Sequence, residues 1–254
     1  MKLHVFTIVL DGMPWLPCVY TTLQKVRFDW VWHVSQGVAL PKHCTSWCKK
    51  IEPRLGNDGT PEFLELISSD ERVVVHSKNE WNGKIEMINA DVNSIRDGDI
   101  VIQIDSDEIW SPETIENAVY FLSRSEYGGL ACPCRYFITP NRVLTTPGTH
   151  GNHTEYEWRR MWKGYGGFRF RRHEPPEINR NIKYMPWHIC AKLGITFDHY
   201  AYVTPAQVMF KEEYYGYKGA LKEWQTLCSV KDCNVDVSKY LSWIKEKSVG
   251  TLLR

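Results

Sequence analysis

The run Ile100-Val101-Ile102-Gln103-Ile104 leads directly into Asp105-Ser106-Asp107-Glu108. Five residues that are apolar and β-branched except for Gln103 read as a strand enclosed on both faces. Three carboxylates in the next four positions break that pattern and place an acidic cluster at the carboxyl end of a central strand. What precedes it has the same rhythm. Residues 3–10 (LHVFTIVL) are a buried strand stopped by Asp11-Gly12, and 14–26 read as a helix. Trp30 to Val34 is a second strand ending in Ser35-Gln36-Gly37. A loop covers about 39–60, a short helix 61–69 and a third strand Arg72 to His76. Over 81–95, Ile85, Ile88, Val92 and Ile95 recur at three- and four-residue spacing, which predicts one helix face. Ser111-Pro112-Glu113 opens another helix over 111–123, with serine as cap and proline just inside. Strands alternating with helices predict a mostly parallel sheet flanked by helices on both faces.

The second half changes character. Segments 129–138, 158–163 and 167–171 read as strands, and 204–247 reads as helical. We expect one α/β domain over 1–205, with halves 1–125 and 126–205, and a helical extension over 206–254 of the same domain. A chain of 254 residues is ample for such a core. Formal net charge is +1, without the basic excess that a nucleic acid partner calls for. No apolar run approaches the roughly 18 residues of a membrane span. MKLHVFTIVL reads as a first strand and not as a signal peptide, so a cytoplasmic setting with reduced thiols is expected for the eight cysteines. Their spacing does not match paired zinc ligands. The Asn152-His153-Thr154 sequon carries little weight in that setting.

The acidic turn carries the chemistry. Ligands of open α/β sheets bind outside the carboxyl ends of the strands. Asp105 and Asp107 there can present two carboxylates to one hard divalent cation, which keeps positions open for phosphate oxygens. The plainer reading is a solvated turn capping the next helix; the buried strand beneath the motif favours the metal.

GDIVIQIDSDEIW resembles the Asp-x-Asp region of GT-A glycosyltransferases, in particular the family 2-like branch. Other segments fit in order: FTIVLDGMPWLP resembles the first strand and nucleotide loop, WNGKIEMINADVN the helix with a donor-side lysine, RMWKGYGGFRFRRHEPPEI a strand pair ending in His-Glu, and FDHYAYVTPAQVMFKEEYY a closing His-Tyr segment with its lysine. The first loop departs from the pattern, with Asp-Gly-Met-Pro where many members have Asn-Glu.

The resemblance implies a Rossmann-like GT-A domain that moves a sugar, with inversion, from a nucleotide-diphosphate-sugar donor (UDP- or GDP-linked) to a glycan or glycoconjugate hydroxyl with Mn²⁺ or Mg²⁺. Asp105, Asp107 and His199 would hold the metal, with His188 the rival for the third place. Asp11, Gln36, Lys84, Asp105, Ser106 and Lys211 would meet the donor, with Tyr215 helping Lys211 to close over the diphosphate. Glu174 would be the general base, Glu155 or Glu157 its alternatives, and Glu108 would orient the metal ligands. Glu155, Glu157, Arg172, His173, Trp187 and His188 would face the acceptor. Arg159, Arg160, Arg169, Arg171 and Arg172 form a basic patch suited to diphosphate or to a charged acceptor, half of it alternating outward. The eleven Trp and thirteen Tyr suit sugar faces as well as cores. A nucleotidyltransferase also pairs aspartates on such a sheet, but no glycine-rich phosphate loop follows the first strand. A non-catalytic carbohydrate-binding module is the remaining alternative.

Overall fold

A computed structural model describes residues 1–145 and 158–253. The strands are β1 Leu3–Val9, β2 Trp30–Ala39, β3 Val73–Trp81, β4 Ile100–Gln103, β5 Glu108–Ile109, β6 Gly129–Ala131, β7 Cys134–Thr139, β8 Arg142–Leu144, β9 Arg159–Lys163, β10 Phe170–His173, β11 Pro176–Ile178, β12 Tyr184–Met185, β13 Phe197–His199, β14 Asn234–Asp236 and β15 Val249–Leu252. The helices are α1 Leu16–Lys25, α2 Thr60–Ile67, α3 Lys84–Ile88, α4 Pro112–Arg124, α5 Trp187–Lys192, α6 Pro205–Tyr215 and α7 Ala220–Ser229.

Seven strands form the main sheet in the order β12-β6-β9-β4-β1-β2-β3. The stretch β4-β1-β2-β3 is parallel throughout, and β9 joins β4 antiparallel. The period-2 rule explains the burial. On β4, Ile100 and Ile102 enter one core with Leu16, Val19 and Leu23 of α1, while Val101 enters the opposite core with Phe6, Trp162 and Phe170. The Ser111 side chain caps α4 by accepting from the Thr114 backbone N–H.

A second sheet, β14-β15-β8-β7-β13-β5, lies beyond the acidic turn. The chain leaves the main sheet at β4, makes the turn at 104–107 and enters the second sheet at β5, so that turn is the covalent bridge between them. The single strand expected over 129–138 is split between the two sheets. Pro133, which has no N–H to donate to a ladder, stands at the break.

Three sequence expectations need correction. Trp81 ends β3 instead of opening a helix, with its indole N–H donating to the Gln36 carbonyl at 2.8 Å. The helix expected over 81–95 is one short α-helix, α3, and a separate 3-10 turn at Val92–Ser94. The extension over 206–254 is helical only to Ser229, after which β14 and β15 pair with each other and then with β8. Arg142 of β8 sets that ending. Its guanidinium is buried and donates to the carbonyls of Val230, Asp232, Cys233 and Gly250 at 3.0–3.2 Å, tying the tail to the domain.

Candidate active site

A cavity of about 570 Å³ opens outside the carboxyl ends of β1 and β4. Asp105, Ser106 and Asp107 line it together with Asp11, Lys84, His173, Glu174 and Lys211. These residues come from distant parts of the chain, and the sheet order brings them to one end.

From Glu108 to Lys84 the polar groups form a continuous line. Glu108 is fully buried beneath the turn and accepts from Arg160 Nε and Nη2 at 2.6–3.1 Å. The same Nη2 reaches Asp105 Oδ2 at 3.3 Å. Asp105 Oδ1 accepts from the Gln103 amide at 3.1 Å and lies 3.7 Å from His173 Nε2. His173 Nδ1 lies 3.6 Å from Glu174 Oε1, which pairs with Lys84 Nζ. Burial pushes the Glu108 carboxyl up, to about 7, against the pull of Arg160. Burial would also raise Glu174, but Lys84 and His173 outweigh it and hold that carboxyl far below the usual carboxylate range. Lys84 in turn pays a burial penalty that Glu174 and Tyr214 reverse, so its ammonium is held above its ordinary value.

Asp107 is placed by strand register. Its carbonyl accepts from the Tyr200 N–H at 2.8 Å, and β13 pairs antiparallel with β5 so that His199 stands opposite Glu108. His199 Nε2 therefore arrives 3.4 Å from Asp107 Oδ1. Burial raises the Asp107 carboxyl, but His199 and Lys211 outweigh that, and it lies below its ordinary value. Lys211 is pulled below its ordinary value by burial against the attraction of Asp107, and its ammonium sits 4.2 Å over the Tyr202 ring.

The donor set has the chemistry of a divalent-cation site. Two carboxylates on one turn face the cavity, and His199 stands beside the second with a buried Nδ1 that has no hydrogen-bond partner. Oxygen and imidazole ligands of this kind suit Mn²⁺ or Mg²⁺. Among the described residues no three His, Cys, Asp or Glu side chains already stand as a closed cation cage, so the fit is to an open two-carboxylate site that phosphate oxygens would complete.

Some expected residues lie elsewhere. Gln36 is buried in β2, and it is its neighbour Gly37 that lines the cavity. Trp187 and His188 are on α5, outside the lining; His199 is outside it too, but stands beside Asp107, which lines the cavity. Arg172 is exposed and turns its Nε onto the Glu174 carbonyl at 2.9 Å. Glu155 and Glu157 lie outside the described residues. His173, expected at the acceptor, lines the cavity and stands between Asp105 and Glu174. Arg54 was not anticipated. Its guanidinium grips Asp11 at 3.0 and 2.7 Å and lines the same cavity. It lies in an irregular segment, where no periodicity marks it.

The sequence profile described as glycosyl transferase family 2 matches residues 56–185, just over half of the chain. The chain belongs to this family, and its helix-flanked sheet is the GT-A arrangement. The matched stretch holds Lys84, Asp105, Asp107, His173 and Glu174, and leaves Asp11, His199 and Lys211 outside it. No curated protein sequence matches. Among solved structures, residues 1–349 of TarS from S. aureus are 14% identical, with 64% of this chain and 47% of that one covered and a TM-score of 0.44. The same fragment in complex with UDP-GlcNAc gives 13%, 64%, 45% and 0.46. The mannosyltransferase PcManGT from Pyrobaculum calidifontis, in complex with GDP-Man and Mn²⁺, gives 18%, 52%, 35% and 0.40. The chain thus spans less than half the length of each. Among the described residues no helix is long and apolar enough to cross a membrane.

Proposed function

We propose that the protein is a metal-dependent, inverting glycosyltransferase that moves a sugar from a nucleotide-diphosphate-sugar, UDP- or GDP-linked, to a hydroxyl of a glycan or glycoconjugate. The observation that carries this reading is the meeting of Asp105 and Asp107 with Lys84 and Lys211 in one cavity at the carboxyl ends of parallel strands. Two carboxylates without cations would suit a bare metal site, and two lysines without carboxylates would suit a bare phosphate site. Their combination suits a metal-bound diphosphate.

In this reading Asp105 and Asp107 hold Mn²⁺ or Mg²⁺, and His199 steadies Asp107 or joins as third ligand. The bound cation supplies charge neutralisation for the departing diphosphate. Arg160 and Glu108 fix the Asp105 carboxylate from below, which a ligand at such a site requires. Lys84 and Lys211 meet the diphosphate oxygens as point charges, and Asp11, held by Arg54, marks the nucleotide end. Glu174 receives the acceptor proton. It is ionised but committed to Lys84, and a carboxylate held so low is a weak base. Its release follows when Lys84 turns to the diphosphate, so one ion pair couples donor arrival to the readiness of the base. The eight free thiols suit a cytoplasmic setting.

A thermal-shift panel of UDP-, GDP-, CMP- and dTDP-sugars, each with and without Mn²⁺, tests this. A ligand at about 100 times its dissociation constant raises stability by roughly 2.7 kcal/mol. We expect one nucleotide class to give a shift that requires the metal and disappears in Asp107→Ala. No shift with any donor would refute the reading.

A further inference from the structure

The basic patch read from the sequence divides in the folded chain. Arg160 turns to Asp105 and Glu108, Arg172 to the Glu174 carbonyl, and Arg169 to the Asn93 side chain at 2.6 Å. Arg159 and Arg171 go elsewhere. With Arg180, which the sequence did not single out, they line a second cavity of about 290 Å³. No residue lines both cavities. The neighbours Arg159 and Arg160 thus serve opposite sides of β9.

The second cavity is built for negative charge. The Arg159 guanidinium lies 4.4 Å over the Tyr184 ring, whose hydroxyl accepts from Trp162 Nε1 at 2.9 Å. Arg180 lies 4.3 Å over Tyr165, whose hydroxyl donates to Asn179 at 2.6 Å. Stacking on anchored rings holds both guanidinium planes while leaving their edges free to donate. Arg159 Nε is enclosed and has no hydrogen-bond partner among the described residues, and a buried donor without an acceptor is costly. Among the described residues Glu177 is the only carboxylate in the lining, and it sits 3.9 Å from Arg172, an arginine outside the cavity. Among the described residues no acid pairs with Arg159, Arg171 or Arg180. Three guanidinium forks facing one carboxylate leave a net positive hollow, with space for more than a small ion.

We propose that this cavity is an oxyanion subsite for a phosphorylated or carboxylated sugar of the acceptor. The oxyanion would take the forks of Arg159, Arg171 and Arg180, and the Tyr184 ring would meet the sugar. The word acceptor rests on the transferase reading; the anion site does not.

Calorimetry on the full chain, without donor, tests it with glucose 6-phosphate, inorganic phosphate and glucose as probes. Glucose 6-phosphate should bind, and more tightly than inorganic phosphate. Glucose should not bind. The exposed double substitution Arg171→Ala/Arg180→Ala should weaken the phosphosugar by at least about tenfold while leaving the UDP or GDP shift of the first cavity unchanged. UDP should not displace the probe. Three results would overturn the proposal: binding unaltered by the double substitution, displacement by UDP, or equal binding of glucose. Inorganic phosphate binding as tightly as the phosphosugar would overturn the sugar assignment. If the phosphosugar binds as expected but no nucleotide sugar does, the subsite stands and the transferase reading falls.

Discussion

Glu174 and Lys84 were read from separate motifs, 90 positions apart, as a base and a donor lysine, and the fold joins them in one ion pair. That contact makes the two roles separable by experiment. Glu174→Gln keeps the shape, removes the proposed proton acceptor and releases Lys84 from its ion pair, so transfer should fall by about 10²-fold or more while donor affinity holds or rises. Single-turnover rates and donor titrations check this, and an unchanged transfer rate would remove Glu174 from the base role. The acidic motif itself was legible, because an apolar strand running into Asp-x-Asp leaves few other structures open. The partners that tune it were not. Arg160 was one arginine of a basic patch, yet only the β4–β9 pairing turns it inward beneath Asp105. Arg54 has no local pattern at all, since its meaning is a contact with Asp11 across 43 residues.

Among the elements, parallel strands and amphipathic helices were legible in the first half because burial on two faces or on one stripe writes itself into the residue period. Short edge strands do not. β5 has two residues and β13 three, too few for any alternation to register. Yet their pairing is what carries His199 to Asp107. His199→Ala should therefore weaken Mn²⁺ binding while leaving the strand pair formed, as a metal titration followed by far-UV dichroism would report. An unchanged titration would leave His199 a structural neighbour of Asp107. The tail misled for a related reason. Tyr240, Leu241 and Ile244 have helical spacing and do pack on the core, but they follow a 3-10 turn at Val237–Lys239 and lead back into β15.

For the molecule as a whole, two buried polar clusters outside the cavity lining bear on stability. Arg142 holds four carbonyls, and among the described residues no acid forms an ion pair with it. Arg142→Met should leave those carbonyls without their donor and cost at least about 3 kcal/mol, lowering Tm by roughly 6 °C or more in a scan. Below the main sheet, His33 Nδ1 lies 2.7 Å from Asp91, and His4 bridges His33 at 3.1 Å and Asp99 at 3.3 Å. Burial pushes His33 down, to about 4, and lowers His4 as well, against the pull of their aspartates. In the unfolded chain both titrate near 6.5. Protons then bind the unfolded state more readily, so stability is full above about pH 6.5 and falls as the pH drops toward about 4. Denaturant midpoints across that range should show the loss, and His33→Gln should flatten it.

The bridge at 104–107 carries a consequence for mutational tolerance. A substitution of Asp105 or Asp107 there removes a candidate ligand and spares the frame. A single inserted residue would slip β5 against β13 by one position, and side chains of a strand exchange faces with each such slip. Glu108 would leave Arg160, and His199 would meet a different neighbour. A library of one-residue insertions should accordingly show a sharp folding gap centred on this stretch.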